Sequence, residues 1–348
     1  MENPPSVHVS AIDTTWWRDR PVFITGCSGL LGSRLAQRLV GYGARVVGLV
    51  RDSVPDSLLF SSGTIDKIVT VRGELNDSSL IERALNEYEV KTVFHLAAQT
   101  IVGAANRNPI GTFEANIAGT WKLLEAARRT PGIEQVLFAS SDKAYGAHDV
   151  LPYTESAALQ GRHPYDVSKS CADLIAQCYA ATYSLPVCVT RCGNLFGGGD
   201  LNWNRLVPGT IRAALEGKAP VIRSDGTMQR DYLYIEDAVD AYLKLAAAMA
   251  LDGALAGRAF NIGNNHPLSV LDLVQKILWL AGREDLQPEI LNQASHEIPC
   301  QYLDSSLANR VLGWQPAYAL EDGLRATLDW YRNYLQENSC NSANIRNN

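Results

Sequence analysis

PVFITGCSGLLG, residues 21–32, opens with a short apolar run, Pro21 to Thr25, and closes on three glycines spaced GxxGxxG. Behind it, Ser33 to Val40 carries apolar residues at helical spacing, so the stretch reads as strand, tight turn and helix. Glycines at such a junction let the backbone bend sharply, approach a pyrophosphate closely and pack helix on strand. The helix N-terminus adds N–H groups and partial positive charge. Gly26, Ser28, Gly29, Leu30, Leu31 and Gly32 are therefore candidate cofactor-binding residues. The spacing is not GxGxxG, and the triplet alone also suits an ordinary structural turn; its place between the first strand and the first helix favours the dinucleotide reading.

Working outward, Ala44 to Val50, Ile68 to Val71, Thr92 to Leu96, Gln135 to Ala139 and Val187 to Thr190 are further apolar runs without polar alternation. Helical stretches such as Ser79 to Tyr88, Thr112 to Arg129 and Tyr165 to Thr182 separate them. Strands of this kind between amphipathic helices predict an α/β fold, a Rossmann-type doubly wound parallel sheet covered on both faces. Beyond residue 195 the pattern loosens into Gly/Asn/Pro-rich loops between helices, which marks a smaller mixed α/β C-terminal substrate lobe. The expected divisions are an N-terminal extension (1–20), a nucleotide-binding domain (21–193), a lobe that is mainly substrate-binding (194–335) and a flexible tail (336–348). Segments around 231–263 are expected to return to the first domain.

The chain has 348 residues, 46% hydrophobic and 20% charged, with 31 Lys+Arg against 37 Asp+Glu. That composition excludes disorder, collagen and coiled coil. The acidic balance, without a basic run, argues against nucleic acid as a partner. The most apolar stretch, Ala241 to Leu255, is interrupted by Lys244 and Asp252, too soon for the ~20 residues of a membrane span. Seven cysteines without CxxC spacing read as reduced thiols of a cytoplasmic protein, with no metal site.

Tyr165 and Lys169 are four apart on an expected helix and share one face. A cation beside a phenol lowers its pKa and makes Tyr165 a base for a hydroxyl; the alternative is a solvated helix face. Ser140-Ser141, at the end of an earlier strand, favours the first reading, because open α/β sheets bind ligands at that edge. After the second strand come Arg51 and Asp52. An acid there suits a ribose 2′-OH and an arginine a 2′-phosphate, so NAD+ and NADP+ both stay open. Glu74 and Leu75 are placed toward the adenine side and Leu96-Ala97-Ala98 toward the nicotinamide, the alternative being an ordinary loop acid and a strand end. His95 on its strand reads as a packed residue, and Trp121, Trp279, Trp314 and Trp330 as core.

Ser141, Tyr165 and Lys169 beside TGxxGxxG resemble the extended, nucleotide-sugar-modifying branch of the short-chain dehydrogenase/reductase superfamily. Further matches are FHLAAQ (94–99), Asn116 with Gly119-Thr120, TRCGNLFGGGD (190–200), RLVP (205–208), QRDYLYIEDAV (229–239), FNIGN (260–264) and LGWQP (312–316). The resemblance implies NAD+ as cofactor, with Lys169 on its nicotinamide ribose and Asn116 among its contacts, Ser141 on the substrate hydroxyl, and Gln99 and Ser140 among the substrate-binding residues. It also places Asn194 and Arg230 on the diphosphate, with Arg205 as a second phosphate candidate, and Leu206, Val207 and Val221 near the base. A guanidinium such as Arg230 forks well onto phosphate oxygens; the alternative is a surface pair with Asp231 or Asp225. A homodimer through the Thr112–Arg129 and Tyr165–Thr182 helices is implied as well.

Within this branch, 4-epimerases resemble SSxxVYG with inert residues in the variable places, whereas this chain has Asp142-Lys143. An acid followed by Glu or Lys resembles the 4,6-dehydratases, since loss of water across C5 and C6 needs an acid for the leaving hydroxyl and a base for the C5 proton. SDK with its tyrosine, GNLFGGGDLNWNRLVP and HEIPCQYLDSSLANRVLGWQP are similar to the CDP-glucose 4,6-dehydratases. Leu30-Leu31 departs from that subgroup's Phe-Lys, so the nucleotide base stays open. The expectation is an NDP-hexose 4,6-dehydratase with catalytic Ser141, Asp142, Lys143, Tyr165 and Lys169. The alternatives are a 4-epimerase, if Asp142-Lys143 is only a structural pair, and a non-catalytic dinucleotide-binding regulator.

Overall fold

The computed structural model describes residues 14–293 and 297–346, with side chains to residue 338. Residues 1–13 of the expected extension and 347–348 of the expected tail lie outside the described residues.

Six strands, β1 (Pro21–Thr25), β2 (Arg45–Val50), β3 (Val69–Arg72), β4 (Thr92–His95), β5 (Gln135–Ala139) and β6 (Val187–Cys192), are joined by a seventh, Ala259–Ile262. Their order across the sheet is Ala259–Ile262, β6, β5, β4, β1, β2, β3, every pair parallel. This is the Rossmann-type order expected from the alternating pattern, and it reverses between β1 and β4, where such sheets open a ligand crevice at their carboxyl ends.

Side chains alternate across the sheet. Val22 and Ile24 point into a core with Leu35 and Leu39 of the Leu30–Gly41 helix and with Val239 and Tyr242 of the Ile235–Leu251 helix. Phe23 and Val93 face the other way, onto Leu85, Leu123 and Ala172. After β6 the chain leaves the sheet and forms the strand Asn194–Phe196, which pairs in parallel with Tyr232–Tyr234. It then returns with the Ile235–Leu251 helix and the strand Ala259–Ile262 on β6. A separate core of Phe196, Val207, Ile211, Leu273, Ile277, Leu324 and Leu328 holds the second lobe together. Its last element, the Leu320–Arg346 helix, runs on into the polar stretch read as a tail.

Two details differ from the sequence reading. The expected Thr112–Arg129 helix is an α-helix over Pro109–Phe113, a π turn over Glu114–Ala118 and an α-helix over Gly119–Arg129. The extra residue of the π turn rotates the face that follows it. Thr112, Asn116, Thr120, Leu123 and Leu124 point inward, while Trp121, expected in the core stripe, is 44% exposed. Trp279 is likewise exposed and Trp314 buried.

Candidate active site

The glycine turn is built for close approach. Gly26 has φ +73°, and a Cβ there would lie 2.8 Å from the Ala97 nitrogen; at Gly32 it would lie 2.1 Å from the Gly26 carbonyl oxygen. Both positions therefore demand glycine. Gly29 precedes the Leu30–Gly41 helix and supplies no side-chain cap to its N-terminus. A narrow turn, an uncapped helix start and the neighbouring Leu96–Ala97 backbone fit the pyrophosphate of a dinucleotide. Leu75 packs against Gly119, whereas Glu74 is exposed. Arg51 and Asp52 are also exposed and are paired with each other, Nε to Oδ2, at 2.6 Å.

The catalytic candidates converge at the carboxyl end of β5. Ser141 caps the short 3-10 turn Asp142–Tyr145 by accepting from the Lys143 N–H at 3.2 Å, and its hydroxyl donates to Asp142 Oδ1 at 2.9 Å. Asp142 is buried, and among the described residues neither its Oδ2 nor the Ser140 hydroxyl has a partner. Burial raises the Asp142 carboxyl above the ordinary range, against the pull of Lys143 and Ser141. Burial lowers Lys143, and the Arg230 charge lowers it further, while Asp142, Asp166 and Glu297 act in the opposite direction. The two neighbours are thus pushed toward each other, the acid up and the amine down.

Tyr165 and Lys169 follow Pro164, the first residue of the Pro164–Tyr183 helix, and both are buried. Lys169 donates to the Ala139 carbonyl at 2.8 Å, and burial lowers its pKa to about 8. The expected lowering of the Tyr165 phenol by Lys169 is not what governs it. Burial and the Asp142 charge push the phenol up, with only a hydrogen bond to Ser141 and the more remote Arg205 opposing them. Desolvation is the largest of these influences on the phenol.

Asn116, on the π turn, clamps Gln99 from both sides: its Oδ1 accepts the Gln99 N–H at 2.7 Å, and its Nδ2 donates to the Gln99 carbonyl at 3.0 Å. The turn beyond β4, Leu96, Ala97, Ala98 and Gln99, is partly buried beside it.

From the second lobe come Asn194, Arg205 and Arg230. Asn194 Nδ2 is buried without a partner among the described residues. Arg230 is 6% exposed; it donates to the Gln229 and Pro299 carbonyls and pairs with Glu297 at 3.1 Å, rather than with Asp231 or Asp225. Arg205 pairs with Asp200 at 2.6 Å and donates to the Leu195 carbonyl. Leu206 and Val207 open the Leu206–Glu216 helix, with Val207 buried. Val221 is 49% exposed on a two-residue strand paired with Glu289–Ile290.

Sequence reasoning passed over Asp166, Glu297 and Gln301. Asp166 is buried beside Tyr165 and feels Lys143, His163, Asp142 and Glu297. Its only signal was adjacency to the tyrosine. Gln301 is fully buried, and neither amide atom has a partner among the described residues. It arrives, after Glu297, through the pairing of Cys300–Gln301 with Gln229–Arg230, which no local pattern announces.

The chain is similar to known proteins over most of its length. A family model described as NAD dependent epimerase/dehydratase family matches residues 22–263. A CDP-glucose 4,6-dehydratase of Salmonella typhimurium is 29% identical over 93% of this chain and 94% of its own length. A UDP-glucose 4-epimerase of Mycolicibacterium smegmatis is 30% identical over 90% of this chain and 99% of its own. Among solved structures, a dTDP-glucose 4,6-dehydratase of Bacillus anthracis in complex with NAD superposes with a TM-score of 0.78 at 26% identity, over 90% of this chain and 97% of that one. The glycine turn, the Ser141–Tyr165–Lys169 set and the matched span together make the chain a member of the NAD-dependent epimerase/dehydratase family.

Proposed function

We propose that the protein is an NDP-hexose 4,6-dehydratase that works through a 4-keto sugar. The observation that carries this is the opposed shift at Asp142 and Lys143. A buried carboxyl raised above its usual range holds its proton more readily and can act as an acid, and a buried amine that is lowered gives up its proton more readily and can act as a base. Tyr165, bridged by Ser141, takes the proton of the C4 hydroxyl. Lys143 then removes the C5 proton made acidic by the C4 ketone, and Asp142 protonates the departing C6 hydroxyl. Bound NAD+ supplies the acceptor for the C4 hydride, its return to C6, and a positive ring charge that favours the Tyr165 phenolate. Gly26 to Gly32, Leu96 to Ala98, Asn116 and Lys169 would hold that cofactor.

Asn194, Arg230 and Arg205 are assigned to the diphosphate, Leu206 and Val207 to the base side, and Gln99 and Ser140 to the sugar. Arg230 must exchange a carbonyl or Glu297 for phosphate oxygens, a favourable trade for a guanidinium. The exposed apolar side chains Ile110, Trp121, Leu174 and Tyr183 on the paired helices support a homodimer. The six described cysteines are all free, which supports a cytoplasmic setting.

Incubation with CDP-, dTDP- and UDP-glucose tests the reading. A 4-keto-6-deoxy product, trapped with hydroxylamine, is expected from one of them. The likeness to the M. smegmatis UDP-glucose 4-epimerase favours a second reading, and recovery of only the C4 epimer would establish that one instead.

A further inference from the structure

A chain of buried hydrogen bonds runs from the glycine turn to the catalytic helix, and its direction follows by elimination. The Thr25 hydroxyl oxygen accepts from the Ala97 N–H and shares the Leu96 N–H with the Thr25 carbonyl, each contact at 3.2 Å. Its own proton then goes to the group it faces, His95 Nδ1, at 2.8 Å. Nδ1 is thereby the bare nitrogen of the ring. Burial and the Lys169 charge hold His95 neutral, with a pKa of about 3, so its single proton sits on Nε2. That nitrogen faces the Thr120 hydroxyl oxygen at 3.1 Å, and the Thr120 proton goes on to the Asn116 carbonyl at 2.6 Å.

Asn116 lies on the π turn, where the helical ladder is displaced. Its side chain clamps Gln99 and donates to the Ser168 hydroxyl at 2.9 Å. Ser168 donates in turn to the Tyr165 carbonyl at 2.7 Å. Thr25, His95, Thr120 and Ser168 each have one proton to give and give it away from the glycine turn, while Asn116, with two side-chain protons, gives one to Ser168 and one to Gln99.

We propose that His95 is a positioning residue: locked as the Nε2–H tautomer, it ties the dinucleotide turn to the π turn and, through Asn116 and Ser168, to the backbone of Tyr165. This rests on the family's use of NAD and of Tyr165, but not on whether the product is dehydrated or epimerised. Thr25 sets the tautomer, and Thr120 passes it on. Reversing either link leaves two acceptors or two donors facing each other in a buried place.

The first test needs no turnover. In nitrogen-15 spectra of histidine-labelled protein, assigned by difference with H95Q, the His95 ring should show a bare Nδ1 and a protonated Nε2, unchanged between pH 5.5 and 8.5. A protonated Nδ1, or titration near the ordinary histidine value, overturns the proposal. The second test compares variants. Gln places a donor where Nε2 stood and keeps the arm to Thr120, Asn keeps only an acceptor toward Thr25, and Leu keeps neither. NAD affinity by calorimetry and kcat should both rank H95Q above H95N and H95L, with at least tenfold between H95Q and H95L and the KM for the nucleotide sugar little changed. A packing role would place H95L above the two amides, as the better apolar filler, and that ranking overturns the proposal. Melting curves accompany each variant; if H95L fails to fold, the order of H95Q over H95N decides.

Discussion

At the scale of single residues, the site works by setting titration against burial. If Lys143 is the C5 base and Asp142 the C6 acid, their loss separates the two halves of the elimination. K143M should stop exchange of the C5 hydrogen with deuterated solvent, whereas D142N should keep that exchange and lose the deoxy product, each by about 10²-fold or more. Deuterium incorporation followed by mass spectrometry reads both; equal retention of the product would remove them from the mechanism. Asp231 makes a different prediction. It is fully buried, accepts from the Asn264 N–H at 3.0 Å, and burial raises its carboxyl to about 6. The unfolded chain releases that proton near pH 4. Between about pH 4 and 6 the folded state binds the extra proton, so this residue's contribution to stability falls as pH rises through that window, by on the order of 3 kcal/mol. Most surface carboxylates do the reverse. The Tm of D231N should therefore gain on that of the wild type as pH climbs from 4 to 6.5, and a constant difference would show that Asp231 stays ionised throughout.

Elements show which parts of the fold are written locally. The strand, turn and helix of residues 21–41 could be read from the sequence because apolar run, glycine spacing and helical periodicity agree within a single window. Gly32→Ala tests that reading. Its new Cβ would stand 2.1 Å from the Gly26 carbonyl oxygen, so the helix must move off the turn. NAD affinity should fall at least tenfold, as measured by calorimetry, and a Tm loss of several degrees should accompany it. The π turn was invisible for the opposite reason. Nothing in EANIAGT distinguishes an i→i+5 ladder from an α-helix, and the one-residue rotation that follows it carries Trp121 out of the core. The proximity of two candidates was legible where they share a helix, as Tyr165 and Lys169 do. Proximity was illegible where strand pairing between distant segments brings a side chain in, as with Gln301 beside Arg230.

On the scale of the whole molecule, one buried ion pair stitches the parts together. Arg191 on β6 meets Asp173 of the catalytic helix with two hydrogen bonds, 2.8 and 3.0 Å, and also donates to the Tyr145 hydroxyl and the Glu155 carbonyl. Tyr145 passes the link to Asn261 on the seventh strand at 2.7 Å. Removing one partner strands a charge among neighbours that cannot hydrate it. D173A should thus cost about 3–5 kcal/mol in urea unfolding, far more than loss of the exposed Arg51–Asp52 pair. The seventh strand itself has a consequence for synthesis. Ala259–Ile262 completes the sheet only after the ribosome has passed through the strands and helix that follow β6, and translation proceeds at roughly 5–20 residues per second. For several seconds the nascent chain therefore carries β6 as an unpaired edge, a template for association with other chains. A gene fragment that ends before residue 259 would hold that edge open permanently.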